Sequence, residues 1–296
     1  MSAPPRLFDR TLRRRRLERA VRIGLADFLK RRAAESAVQS LLAIMRPFPL
    51  GVDLSGSGDL LVQALAGEGA GERVGRLIRA DAVRSSGAEL VLDEEALPFA
   101  DESLDLAVSL LSLQWTNDLP GALTQIRRAL KPDGLFLGAL FGGTTLNELR
   151  WALTQAEVEV TGGAGPRISP FADAFDGAAL LQRAGFALPV SDLDRVTVRY
   201  ADPFRLIADL RAMGETGLLT ERPRPLTREV LGRMVELYAE RFAGPDGRIP
   251  ATFDIISLTG WAPHPDQQKP LRPGSAKMRL ADALGVKEQG AGETPV

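Results

Sequence analysis

The sequence predicts an α/β protein built on a largely parallel sheet covered by helices, and three observations predict it. Between residues 48 and 143, short apolar runs alternate with segments of helical periodicity. Three successive runs end at a carboxylate, Asp53, Asp81 and Asp93. The chain has 296 residues, 45% of them apolar and 25% charged, which is the composition of a globular protein with a sizeable core.

Taken in order, Leu-Gly-Val-Asp-Leu at 50–54 is a short buried strand that stops at a Ser/Gly cluster. Leu60, Leu61, Ala64 and Leu65 then recur at helical spacing, giving strand, glycine turn and helix. The alternation repeats at 77–80 before Asp81, at 89–92 before Asp93, and at 104–111 before Gln114 and Trp115. A helix over 119–130 is stopped by Lys131-Pro132-Asp133-Gly134, and 135–140 is the next strand. Helical periodicity follows at 144–160, 174–184, 203–213 and 227–242, with Gly/Pro-rich breaks at 161–170 and 222–225. The runs 195–200 and 252–258 are expected to be late strands of the same sheet, with the intervening helices forming a lid. The expected layout is a basic helical segment at 1–47, a core at 48–143, lid and final strands at 144–280, and a frayed tail at 281–296.

Composition excludes several chemistries. With no cysteine there is no disulfide, thiol nucleophile or Cys-ligated metal. His264 is the only histidine, so one chain cannot assemble a two-His iron site or a tris-His zinc site. It lies among Pro263, Pro265 and Asp266, where a structural or solvent-facing role is expected, and no metal is assigned. No segment approaches the roughly 20 apolar residues that span a bilayer. A net charge of −1 gives no overall attraction to nucleic acid. Arg13 to Arg16 are nonetheless consecutive near the start, either a solvated basic helix or a docking face for an acidic partner.

Carboxylates at strand ends suit an adenosine-containing ligand, since a carboxylate accepts hydrogen bonds from adjacent ribose hydroxyls or from an amino group. Asp81 is the ribose candidate, and Asp93 or Glu94 the candidate for the adenine edge. The alternative for each is that strand ends favour Asp as a helix cap or turn former.

Val52-Asp53-Leu54, Asp81 and Asp93-Glu94-Glu95-Ala96-Leu97-Pro98-Phe99 resemble the successive cofactor motifs of class I S-adenosylmethionine (SAM) dependent methyltransferases. The runs Ser109 to Pro120 and Leu130 to Gly134 look like the methyltransferase type 11 branch. That branch holds the malonyl-carrier-protein O-methyltransferases of biotin synthesis and the mitochondrial complex I assembly factors that hydroxylate an arginine. Phe8-Asp9-Arg10, the run Phe141 to Arg150, Ile168-Ser169-Pro170-Phe171, Met213-Gly214-Glu215, the run Ile249 to Phe253 and Gly260-Trp261 are similar to the assembly factors, a collinear series over about residues 8 to 278.

The resemblance implies a Rossmann-like class I methyltransferase fold, a mostly parallel seven-stranded sheet with a helical lid insertion, and SAM as cofactor. Asp53, Ser55, Gly56, Ser57 and Gly58 would hold the methionine portion, Asp81 the ribose, and Asp93 and Glu94 the adenine. Gln114 and Trp115 would face the substrate, with no catalytic residue singled out. The implied partner is a respiratory complex I subunit or a carrier protein. Because the arginines align with the family's mature amino-terminal region, a bacterial cytoplasm is expected rather than a cleaved presequence. Methyl transfer, arginine hydroxylation and non-catalytic assembly are the three functions the family allows.

Two departures stand out. The family loop carries glycine at the second, fourth and sixth positions after its acidic residue. Here those positions are Ser55, Ser57 and Asp59, with Gly56 and Gly58 between them. Asp59 also brings negative charge to a helix start near the expected cofactor carboxylate, unless it simply caps the helix. Second, Gln114 stands where the assembly factors have histidine, and glutamine can orient a group but cannot act as a general base.

Overall fold

The computed structural model describes residues 6–56, 58–171, 173–221, 223–267 and 285. The chain divides into two compact units, Met1–Pro263 and His264–Val296. In the second, His264 Nδ1 accepts the backbone N–H of Asp266 at 3.1 Å, a local turn contact. The expected tail at 281–296 lies outside the described residues except for position 285.

The first unit opens with helices α1 (Arg10–Ile23) and α2 (Phe28–Leu42), then strand β1 (Phe48–Asp53), α3 (Leu60–Gly67), β2 (Val74–Asp81), β3 (Leu90–Val91) and β4 (Leu104–Leu110). It continues through α4 (Leu119–Ala129), β5 (Leu130–Phe141), α5 (Asn147–Thr161), α6 (Ala174–Arg183), β6 (Ala187–Tyr200), α7 (Pro203–Met213), α8 (Arg228–Phe242) and β7 (Ile249–Trp261). The seven strands form one sheet in the order β3-β2-β1-β4-β5-β7-β6. The first five are mutually parallel, and β7 runs antiparallel between β5 and β6. Strand order reverses between β1 and β4, the place where an open α/β sheet leaves a crevice at its carboxyl edge.

Strand alternation builds a core on each face. Along β5, Leu135, Leu137, Ala139 and Phe141 pack with α2, α5, α7 and α8, while Phe136 and Leu140 pack on the other side with α4 and α6. Along β7, Phe253 and Ile255 join the first cluster and Ile256 and Leu258 the second. Local signals fix the helix starts. Asp9 caps α1 by accepting the N–H of Leu12, Asp118 caps α4 through Gly121, and Thr227 caps α8 through Val230.

Two boundaries differ from expectation. Lys131-Pro132-Asp133-Gly134 does not separate helix from strand, because β5 already begins at Leu130. The strand is anchored there by Lys131, whose Nζ lies 3.0 Å from both carboxylate oxygens of the buried Asp105. The late strands are also longer than their apolar runs, since β6 starts at Ala187 and ends on the sheet edge with Leu188 and Val190 exposed. Pairing along β7, rather than burial, holds that segment extended.

Candidate functional site

The crevice at the end of β1 is built by backbone turns. Asp53 is buried and its Oδ1 accepts the N–H of Ser55 at 2.8 Å. Ser55 turns inward, its Oγ accepting the N–H of Leu110 at 2.8 Å, which ties the loop to the end of β4. Gly56 and Gly58 both have φ +60°, and Gly56 N–H donates to Ala80 O at 3.3 Å. Glycine adopts that left-handed conformation without the roughly 1–2 kcal/mol that other residues incur. At Gly56 the requirement is doubled, because an added Cβ would stand 2.4 Å from Oδ1 of Asp81. Ser57 lies outside the described residues.

Asp59 behaves differently from either expectation. It makes no side-chain cap on α3. Instead it forms an ion pair with Arg79 on β2, with its side chain 60% exposed, so its charge is neutralised at the surface.

Asp81 is buried at the end of β2, and its Oδ1 accepts the N–H of Ala82 at 2.6 Å. It lines a cleft together with Gly56, Leu60, Leu111, Phe141, Met213, Glu215 and, from α2, Lys30. Lys30 Nζ donates to Ser55 O at 2.6 Å. Burial lowers the Lys30 pKa, and the nearby charge of Asp81 opposes that shift. Leu111 holds φ +52° directly after β4, a strained position for a branched side chain on the cleft wall.

Asp93 and Glu94 are not open to the cleft in the expected way. Glu94 is buried, forms ion pairs with Arg10 and Arg13 of α1, and accepts the hydroxyl of Ser112 at 2.7 Å. Burial alone would raise its pKa, but the charges of Arg13 and Arg10 and the Ser112 hydrogen bond outweigh it, so the carboxyl is held at about 2. Asp93 receives Arg10 at 2.8 Å and Arg14 at 3.0 Å. The arginine run is therefore neither a wholly solvated helix nor a wholly free docking face. Arg13 is buried, and Arg10 and Arg14 are counter-ions for the strand-end acids.

On the other wall, Trp115 is buried between Phe8 and Phe171 in edge-on contacts at 5.3 and 6.0 Å. Its indole Nε1 donates to Glu215 Oε2 at 2.7 Å. Glu215 lies between the cleft and a second, largely apolar cavity that Trp115 and Phe171 line. Burial pushes its pKa up to about 7 against the opposing effects of Arg13, Lys30 and the Trp115 hydrogen bond. Gln114 sits beside Glu215, close enough to favour its charged form, yet neither buried amide atom completes a hydrogen bond of normal geometry. Trp115 thus combines packing with a polar contact to an acid that the strand-end pattern did not single out.

Glu215 is placed by the end of α7. Gly214 takes φ +79° and the N–H of Glu215 returns to Leu210 O at 2.9 Å, a helix-terminating turn that aims the carboxylate inward. The available signal was the Met-Gly-Glu triplet after an apolar helix. Lys30 carried no such signal, because nothing in a helix of α2's pattern marks one lysine as inward. Among the described residues no group of three or more His, Asp or Glu side chains is arranged around a common metal position.

Sheet order, antiparallel β7 and a glycine turn at the switch point define the class I methyltransferase fold. The family described as methyltransferase domain matches residues 71–138. The YcgJ protein of Bacillus subtilis superposes with a TM-score of 0.50 at 14% identity, covering 79% of this chain and 99% of its own. The BH2331 protein of Bacillus halodurans C-125 does so with a TM-score of 0.51 at 16% identity, covering 78% and 99%. The chain is 38% identical over 289 residues to the arginine-hydroxylase NDUFAF5, mitochondrial, of Danio rerio, covering 93% of this chain and 89% of that protein. The corresponding human protein is 39% identical over 285 residues, covering 93% and 83%. The malonyl-[acyl-carrier protein] O-methyltransferase of Halorhodospira halophila is 39% identical over 170 residues, covering 57% of this chain and 56% of that protein. The chain belongs to the NDUFAF5 family of methyltransferase-fold proteins.

Proposed function

We propose that the chain binds SAM in the cleft between β1 and β2 and transfers its methyl group to a protein substrate. In this reading it is a bacterial, cytoplasmic counterpart of the complex I assembly factors, with a respiratory complex I subunit as partner. No helix among the described residues is long and apolar enough to cross a membrane.

The observation that carries the reading is the close approach of Gly56 to the Asp81 carboxylate, with Gly56 and Gly58 both left-handed. The displaced glycines still provide a side-chain-free turn beside a strand-end carboxylate, which fits an adenosine ligand. Asp81 would accept the ribose hydroxyls, and Asp53 with the 55–58 loop would hold the methionine portion. Asp93, whose side chain is 29% exposed, remains the better candidate for the adenine edge, and Glu94 instead anchors α1 over that end.

Bound SAM supplies a methyl group on a sulfonium, which a positioned nucleophile can take without a metal or a strong base. The chain's contribution is alignment, worth roughly 7–11 kcal/mol at best. The apolar walls of Leu111, Phe141 and Met213 would exclude water. Glu215, poised near neutrality, would take the nucleophile's proton on its carboxyl group, the task Gln114 cannot perform.

A second reading, arginine hydroxylation, is favoured by the extended identity to proteins of that name. A carrier-protein substrate draws on the shorter match to the malonyl O-methyltransferases. Intact-mass analysis of the candidate complex I subunit after incubation in air with the purified protein, SAM and an added electron donor separates the readings. A gain of one methylene supports methyl transfer and a gain of one oxygen atom supports hydroxylation. An unmodified partner that still binds supports non-catalytic assembly.

A further inference from the structure

We infer that Lys30, on a helix outside the strand-and-turn motif, is the residue that binds the carboxylate of SAM's methionine portion; this rests on the SAM-binding reading above. Its ammonium reaches the β1 loop from α2, with Nζ 2.6 Å from Ser55 O, and lines the same cleft wall as Gly56 and Asp81. It is the one Lys or Arg side chain among the described residues lining that cleft. An ammonium has three donors, and Ser55 O takes one. Among the described residues it forms no ion pair within 4 Å, although Asp53, Asp81 and Glu215 all lie near enough to favour its charge. A half-buried cation on a cleft wall with donors to spare is positioned to give them to a ligand that supplies further acceptors.

The neighbouring groups assign that ligand group. Ser55 has turned its hydroxyl toward Leu110, and the described side chains of the loop include no cation that could meet an incoming carboxylate. Arg79 neutralises Asp59 at the surface, and Arg13 is engaged with Glu94. Lys30 remains as the available counter-ion. An alternative role for the same side chain is to brace the loop through the Ser55 carbonyl, without touching the ligand.

Calorimetric titration of the full chain separates these roles, with SAM, decarboxylated SAM and 5′-methylthioadenosine as probes. Decarboxylated SAM lacks only the carboxylate, and 5′-methylthioadenosine lacks the amino-acid portion. The wild-type protein is expected to prefer SAM over its decarboxylated form by about 10–100-fold, the range of a hydrogen bond between charged groups. Lys30→Ala should bind the two equally, with 5′-methylthioadenosine affinity changed less than about threefold, and Lys30→Arg should restore part of the preference. Equal losses for all three probes in Lys30→Ala would assign the bracing role and overturn the inference. A preference that survives in Lys30→Ala would overturn it as well. If Lys30→Ala does not fold, Lys30→Gln, which keeps a donor for Ser55 O, carries the same expectation. Wild-type protein that binds none of the probes would overturn the cofactor reading itself, a result distinct from either of the others.

Discussion

Gly56 and Asp81 are in such close register that a Cβ on the glycine would lie 2.4 Å from the carboxylate. The turn after β1 is therefore packed directly on the acid at the end of β2, and Gly56 cannot gain a side chain unless Asp81 moves. Gly58 has the same φ, but a Cβ there would meet only Ser86 O at 3.5 Å. Gly58→Ala should cost about 1–2 kcal/mol of stability in urea denaturation, and Gly56→Ala more, because the clash with Asp81 adds to the same backbone cost. Gly56→Ala alone should also remove the thermal shift produced by SAM, because it must displace Asp81.

Glu215 makes stability depend on pH. Its pKa is about 7 in the folded chain against an ordinary 4.5, so the folded state holds the proton more tightly. Its contribution is full below about pH 4.5 and is lost as pH rises through 7. Glu215→Gln should therefore be more stable than wild type by about 1–3 kcal/mol near pH 8, and the two should converge near pH 4.5. Thermal unfolding across that range checks it.

The Glu94 ion pairs act in the opposite sense. With a folded pKa of about 2, Glu94 stabilises the fold above about pH 4.5, and this is lost as pH falls toward 2. Glu94→Gln leaves the buried Arg13 without its carboxylate and Arg10 with Asp93 alone, a loss of about 3 kcal/mol near pH 7. The gap from wild type should narrow as pH falls below about 4.5 and close only near pH 2, as denaturant titrations at several pH values would reveal.

Asp59 provides a contrasting test. Its pair with Arg79 is largely exposed, and such pairs contribute about 0–1 kcal/mol. Asp59→Asn should leave stability within about 1 kcal/mol and SAM affinity within about threefold. A large gain in affinity would mean that the carboxylate faces the cofactor after all.

The sheet was legible because its strands alternate between two cores, and the central strands β1, β4 and β5 are rich in apolar residues while β1 and β2 end at Asp53 and Asp81. β6 was only partly legible, since an edge strand with exposed Leu188 and Val190 has no buried face over its first half. The positions of Asp53 and Asp81 at strand ends could be read from spacing, but their partners could not. The engagement of Glu94 by Arg10 and Arg13 joins residues more than 80 positions apart, and no local pattern encodes it. Lys30 and Glu215 escaped for the same reason, being delivered to the cleft by the packing of α2 and α7. The out-of-phase glycines were visible at once, whereas their matching left-handed conformations required the structure.

Titration of SAM into the wild-type protein and Asp81→Asn, followed by thermal unfolding, tests the central claim most directly. Saturating wild type at about 100 times the dissociation constant should add about 2.7 kcal/mol of stability, and the same concentration should add far less to Asp81→Asn. The absence of a shift in wild type, or an equal shift in both proteins, would contradict a SAM site built on Gly56 and Asp81.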